Sequence, residues 1–213
     1  MAISDGRLME LQHPLAQHFL GLLRHRETRP ADFRRHAEVL ATLLAVEATR
    51  DLPLRAVVVP TPMETMACRE LAARIVLVPV LRAGLGLLEP CTRLLPDAEI
   101  RHLGVYRDES TARPISYYQR VPATNPPDVA IVLDPMLATG GSAIHAVETL
   151  QNWGVPKILL LTLIAAPEGL QEVLNRCPVV RIITAVIDRE LNGQRYILPG
   201  LGDAGDRLFN TLE

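Results

Sequence analysis

The residues best suited to chemistry in this chain are an aspartate, a glycine pair and two hydroxyls gathered within "LDPMLATGGS" (133–142). The loop follows "VAIVLD" (129–134), an apolar, β-branched run that reads as a strand, so Asp134 stands at that strand's carboxyl end. Gly140 and Gly141 let the backbone turn sharply and approach a ligand without side-chain obstruction. A helix opening near Ser142 adds unpaired N–H groups and the positive end of its dipole, which together make an anion site. Thr139 and Ser142 supply hydroxyl donors. Any strand-to-helix turn can use Thr-Gly-Gly, and a glycine pair alone is weak evidence. An acid at the strand tip with Thr-Gly-Gly-Ser opening a helix is far more specific, and it reads as a phosphate cradle. The loop is no Walker loop, since the Gly-Lys-Ser/Thr ending is absent, and it lacks the spaced glycines of a dinucleotide fingerprint.

Elements must hold that loop at a sheet edge, and the rest of the chain predicts them. Residues 14–26 and 30–50 read as helices; in the second, Phe33, Ala37, Leu40 and Leu44 recur at helical spacing behind Pro30. Short runs at 55–61, 74–80, 99–106, 129–134, 157–166 and 179–188 read as strands, several of them nearly continuous in apolar residues, as in a parallel sheet covered on both faces. Helical segments at 84–95, 141–153 and 168–176 alternate with them, which predicts an α/β fold. Ligands bind such sheets beyond the carboxyl ends of the strands. The polar segment 107–128, with four prolines, reads either as a surface hairpin or as a mobile arm near the active site.

Bulk properties narrow the function. With 213 residues, 48% of them apolar, the chain is expected to form one globular domain. A formal charge of −2 and 4% aromatic residues argue against a broad nucleic-acid surface or a base-stacking platform. Cys68, Cys91 and Cys177 are expected as reduced, packed thiols. No apolar run is long enough to span a bilayer, and the start lacks the core of a signal peptide, so a soluble, cytoplasmic protein is expected.

The loop resembles the phosphoribosyl pyrophosphate loop of the type I phosphoribosyltransferases. Pro135 and Ala138 stand where that superfamily usually carries further acids, and this pattern resembles the uracil phosphoribosyltransferase family in particular. "HPLAQHFLGLLR" (13–24), "VPVLRAGLGLLEP" (78–90), "GVYRDEST" (104–111), "LIAAPEGL" (163–170) and "YILPGLGDAGDRLF" (196–209) match the family's signatures in the same order. The resemblance implies a type I phosphoribosyltransferase fold: a mostly parallel, twisted sheet flanked by helices. It also implies N-terminal helices over 1–52, a β-arm over 107–128 and a C-terminal uracil-binding hood over 188–213, all within a single domain 1–213.

The implied reaction joins uracil to 5-phospho-α-D-ribose 1-diphosphate (PRPP), giving UMP and diphosphate. The resemblance assigns Arg82, Arg107, Asp134 and Asp203 to catalysis, with Arg120 a weaker candidate and Asp206 structural. PRPP would be held by Arg82, Arg107, Asp134, Pro135, Met136, Leu137, Ala138, Thr139, Gly140, Gly141, Ser142 and Asp203. Arg82 suits a pyrophosphate oxygen pair, and Gly84 and Gly86 permit close backbone approach. Uracil would be read by the backbone of Ile197, Gly202, Asp203 and Ala204. Magnesium is expected mainly through PRPP, with Asp203 its point of contact on the chain and no dedicated protein cage. A homodimer or larger homo-oligomer is implied, with GTP a candidate activator. His13 and His18 are expected to be structural, and Tyr196 is as readily a packing residue as a site residue.

The chain departs from the family at Val46, which precedes Glu47, and in "NGQRYI", where Gly193 replaces an acid and Arg195 a glycine. Either position 195 never requires positive φ or the lip of the uracil pocket differs here. The alternative is an RNA-binding attenuator protein sharing the fold. It would need a basic face, which the near-neutral charge and the "GLGDAGD" ending disfavour. A degenerate scaffold is disfavoured because Arg82, Arg107, Asp134, Thr139 and Asp203 all remain.

Overall fold

The computed structural model describes residues 6–107, 114–119, 121–122 and 124–211, with side chains at all of these except Tyr106, Arg107, Pro114 and Ser116. The chain enters through β1 (Leu8–Glu10) and two helices, α1 (Pro14–Arg24) and α2 (Pro30–Ala48). A proline opens each helix, where its missing N–H costs nothing. His13 is the cap of α1, its Nδ1 accepting the Leu15 N–H at 3.1 Å. β2 (Leu54–Pro60) and β3 (Thr65–Leu71) follow, then β4 (Ile75–Leu81), α3 (Leu85–Leu94), β5 (Glu99–Ile100), β6 (Leu103–Arg107) and β7 (Pro114–Gln119). The path continues through β8 (Val129–Leu133), β9 (Met136–Leu137), α4 (Gly141–Trp153), β10 (Lys157–Ala165), α5 (Pro167–Arg176) and β11 (Val180–Ile187). It closes with β12 (Glu190–Leu191), β13 (Ile197–Leu198) and α6 (Ala204–Phe209).

The main sheet has the order β1-β11-β10-β8-β4-β6-β7, with β5 beside β4 and β9 beside β10. Every pairing in it is parallel except β6 with β7. Strand alternation divides the core in two. Leu77, Ile131, Leu133, Leu159, Leu161 and Ile183 face Phe33, Leu40 and Leu44 of α2 and Leu87 of α3. Val76, Val78, Ala130, Val132, Leu160 and Ile182 face Ile144, Val147 and Leu150 of α4 and Val173 of α5. Strand β8 and, past Lys157, β10 are buried and read as nearly continuous apolar runs because both of their faces are covered.

One strand expectation fails. The run 55–61 does form β2, but β2 pairs only with β3, as an antiparallel hairpin apart from the main sheet. Val58 there is 72% exposed, so its valines mark β propensity rather than burial. The segment 107–128 contributes β7, which turns back on β6 as a hairpin edge. Its base is tied to α4 by Trp153, whose Nε1–H donates to the Thr124 carbonyl at 3.2 Å. Residues 108–113, 120 and 123, and with them Arg120, lie outside the described residues. The three cysteines are free thiols; Cys91 and Cys177 are buried, and burial pushes the Cys91 thiol up to about 12, as fits packing rather than nucleophilic use. Among the described residues no helix is long and apolar enough to cross a membrane.

Candidate active site

The site forms where β8 ends. Asp134 donates its N–H to the Leu161 carbonyl at 3.1 Å, the last rung before the ladder breaks. The Pro135 carbonyl then accepts from both Leu163 (3.0 Å) and Ile164 (3.2 Å), and pairing resumes in β9 beside Ile164 and Ala165. This is a bulge-like interruption, where proline's missing N–H is no loss and a bent strand re-aims the neighbouring side chain. Pro135, an unexplained departure on sequence alone, thus has a backbone reason. Among the described residues, the Asp134 Oδ1 accepts only the Met136 N–H, at 3.4 Å. Removal from water pushes its carboxyl up to about 6, against the lowering effect of that hydrogen bond.

The next residues wrap a hollow of about 140 Å³ lined by Asp134 and 136–143. Gly140 stands at φ +84° as the residue preceding α4, a conformation that glycine adopts without steric cost. No side chain caps the helix, and the Gly140 carbonyl accepts from Ile144 at 2.8 Å. The N–H groups of Gly141, Ser142 and Ala143 precede the first intrahelical donor and face the hollow with the dipole behind them.

A second hollow of about 340 Å³ adjoins it, lined by Arg82, Ala83, Asp134, Pro135, Met136, Ser142, Asp203, Ala204 and Gly205. Asp134, Met136 and Ser142 belong to both. Arg82 follows β4 through a cis Leu81–Arg82 peptide. Its guanidinium lies 3.8 Å from Asp206 Oδ1 and 5.9 Å from the centre of the Phe209 ring. Asp203 is the N-cap of α6, its Oδ1 accepting the Asp206 N–H at 2.9 Å, which leaves its other oxygen to the hollow. Gly84 and Gly86 do permit close approach, but to the protein itself. A side-chain carbon at Gly84 would meet the Leu133 and Val80 backbone, and one at Gly86 the Leu208 side chain.

Of the residues expected from sequence, Arg82, the whole 134–142 loop, Asp203 and Ala204 are brought together in the two hollows. Ile197 and Gly202 do not line either one: Ile197 is buried in β13, and Gly202 lies just before the Asp203 cap. Arg107 ends β6, beside β4, with its side chain outside the described set. Among the described residues no cluster of three or more His, Cys, Asp or Glu could hold a metal ion. Two carboxylates, Asp134 and Asp203, facing one hollow fit an ion that is held largely by a ligand's phosphates.

Sequence reasoning missed what ties the hood to the N-terminal helices. Asp188, at the end of β11, is almost fully buried and receives both arms of Arg24, at 2.5 and 3.1 Å, together with the Gly200 N–H at 3.1 Å. Arg24 also donates to the Gly200 carbonyl at 2.8 Å. Arg207 of α6 is buried and donates to the carbonyls of Leu23 (2.6 Å), His25 (2.7 Å) and Leu201 (2.8 Å). Its guanidinium lies 4.3 Å from the centre of the Phe33 ring, and burial lowers its pKa. Arg207→Met strands three carbonyls at once and is expected to cost about 2–3 kcal/mol, read as a lower urea midpoint at unchanged slope.

A mostly parallel sheet flanked by helices, with a glycine-rich loop, an arginine turn and a helix-capping acid at its strand ends, is the architecture of the type I phosphoribosyltransferase fold. A solved protein of Aquifex aeolicus is similar over 95% of this chain and 97% of its own, with TM-score 0.90 and 36% identity. An APRTase of Giardia lamblia solved with 9-deazaadenine shares the fold alone, with TM-score 0.53 and 17% identity over 80% of this chain and 84% of its own. The family model for uracil phosphoribosyltransferase matches residues 10–211. The chain belongs to the uracil phosphoribosyltransferase family. A relative of that name from Roseiflexus sp. is 50% identical over 206 residues, 97% of this chain and 99% of its own. One from Geobacillus sp. is 44% identical over 207 residues, with the same coverage. These relatives do not favour the RNA-binding alternative.

Proposed function

We propose that this protein transfers the phosphoribosyl group of PRPP to N1 of uracil, forming UMP and releasing diphosphate. The observation that carries the reading is the pair of adjoining hollows, with Asp134 on their shared wall. The 5′-phosphate sits in the cradle of 137–142, on the N–H groups that open α4, and the Asp134 carboxylate accepts hydrogen bonds from the ribose hydroxyls. Arg82 and Arg107 hold the diphosphate. As the bond from C1′ to diphosphate breaks and the bond to N1 forms, positive charge grows on the ribose ring. Preorganised charges and fixed orientation supply much of the catalysis.

The free Asp203 oxygen would hold magnesium, directly or through water, with most of the ion's ligands coming from substrate. The chemistry the ion would supply there is to offset charge on the departing diphosphate. The hood backbone at Ile197 and 202–204 reads the donor and acceptor edge of uracil, and cytosine would leave buried groups unpaired.

Purified protein given magnesium, PRPP and each base in turn is expected to release diphosphate with uracil and little with cytosine or a purine. Turnover with a purine but none with uracil would overturn the reading. The same reading carries a cytoplasmic homodimer or larger homo-oligomer with GTP as an activator. Solution mass, and initial rates with and without GTP, test those two points.

A further inference from the structure

A third hollow, of about 420 Å³, shares Thr139 and Gly141 with the cradle. Thr139 and Gly141 line it from the loop, Glu168, Glu172 and Arg176 from α5, and Arg195 from the β12–β13 turn. On α5 the one cation lining the hollow, Arg176, is already paired with carboxylates. Arg176 lies 2.9 Å from Glu148 and 3.8 Å from Glu172, and Glu168 accepts the Leu191 N–H at 2.9 Å. The Arg195 guanidinium has no ion pair or hydrogen bond among the described residues. It is the unmatched cation of that hollow.

Two further observations point the same way. The cradle itself, 134–143, contains one carboxylate and no cation, although a phosphate monoester brings up to two negative charges. Arg195 also stands at φ +66°, where a side chain is disfavoured. Asn192 holds it there: its carbonyl accepts the Arg195 N–H at 2.8 Å, and its side-chain oxygen accepts from Gln194 and Tyr196, each at 2.9 Å. Position 195 therefore does use positive φ, and an arginine is kept where glycine would fit more easily. Strain of this kind concentrates at ligand clamps.

We infer that Arg195 is an affinity determinant for the 5′-phosphate of the phosphoribosyl group, sharing the third hollow with the Thr139–Gly141 turn. It supplies the positive charge that the cradle lacks. PRPP and UMP carry the same 5′-phosphate, so both depend on Arg195, whereas free diphosphate, held at Arg82, does not. The inference rests on the transfer proposed above.

The test compares wild type with Arg195→Gln, Arg195→Lys and Arg195→Gly, using ribose 5-phosphate and pyrophosphate as calorimetric probes beside uracil-dependent kinetics. Arg195→Gln keeps the backbone strain and removes only the charge. It is expected to weaken ribose 5-phosphate binding and raise the PRPP KM by about fivefold, with kcat and pyrophosphate binding unmoved. Arg195→Lys should stay within about twofold of wild type. Arg195→Gly should match Arg195→Gln in binding, which separates charge from strain. Unmoved ribose 5-phosphate binding in Arg195→Gln, or equal weakening of pyrophosphate, overturns the role of Arg195. Wild-type protein that does not use uracil overturns the proposed transfer instead.

Discussion

Asp134→Asn is expected to cut kcat/KM for PRPP by about 100-fold while making the ligand-free protein harder to unfold. Both effects come from one carboxyl, desolvated at the end of β8 and pushed up to about 6. A group whose folded pKa is raised contributes its full stability below the unfolded value and loses it as pH climbs through the folded one. Wild type therefore gives up stability between about pH 4 and 6 as this carboxyl is forced to ionise, and the deficit stays constant above that. The neutral amide avoids this penalty. Denaturant titrations should show Asp134→Asn more stable by about 2–3 kcal/mol at pH 7, with the difference vanishing near pH 4. On the kinetic side, kcat/KM reports the free enzyme, so for wild type it should fall as pH drops below about 6, where the protonated carboxyl can no longer accept from both ribose hydroxyls. Equal stability of the two proteins across the whole pH range would mean that Asp134 is better solvated than its surroundings indicate.

Gly84→Ala should damage the fold rather than the chemistry. A methyl carbon there would stand 2.3 Å from the Leu133 carbonyl oxygen, 2.6 Å from the Val80 nitrogen and 2.7 Å from the Val80 oxygen. All three are backbone atoms of the two strands that carry Arg82 and Asp134, so none can swing aside. A loss of about 4 kcal/mol or more is expected, seen as little soluble protein and a sharply lowered Tm. Gly86→Ala is the control, since its methyl meets Leu208 side-chain carbons at 2.7–2.8 Å. That side chain can change rotamer, so a loss of only about 1–2 kcal/mol is expected. Equal thermal stability of the two variants would refute the backbone argument.

Much of the architecture was legible because buried parallel strands and long amphipathic helices write their burial into the chain. The helix expected over 141–153 is α4 to the residue, since the glycine turn before it and Gly154 after it mark both ends. Short elements escaped for a physical reason. β1 is three residues long, and its partner β11 lies some 170 residues further on, so no local pattern announces it. The six-residue α6 hides in a glycine-rich segment whose acids look like ligands before they look like caps. Arg207 could not be singled out, because two of the three carbonyls it satisfies, those of Leu23 and His25, lie at the far N-terminal side of the sequence. The run at 55–61 misled because valine reports a preference for extended backbone, and a hairpin satisfies that preference as well as a sheet interior does. At the site, the phosphate loop was readable as a contiguous motif. The glycines of "RAGLG" were assigned to ligand approach, and what sequence alone did not reveal is that they also let strand, turn and helix meet.

The clasp between the two ends of the chain bears on how the protein is made. β1 has no strand to join until β11 exists, and Arg24 has no carboxylate until Asp188 does. The Leu23 and His25 carbonyls wait still longer, for Arg207 of α6. On the ribosome, at roughly 5–20 residues per second, α1 and α2 emerge many seconds before the surface that finishes covering them. The nascent protein can consequently assemble β4, β8 and β10 first, whereas its hood closes only once α6 has emerged. A stalled or truncated chain ending before α6 would present an apolar helical face to chaperones and proteases rather than a smaller working enzyme.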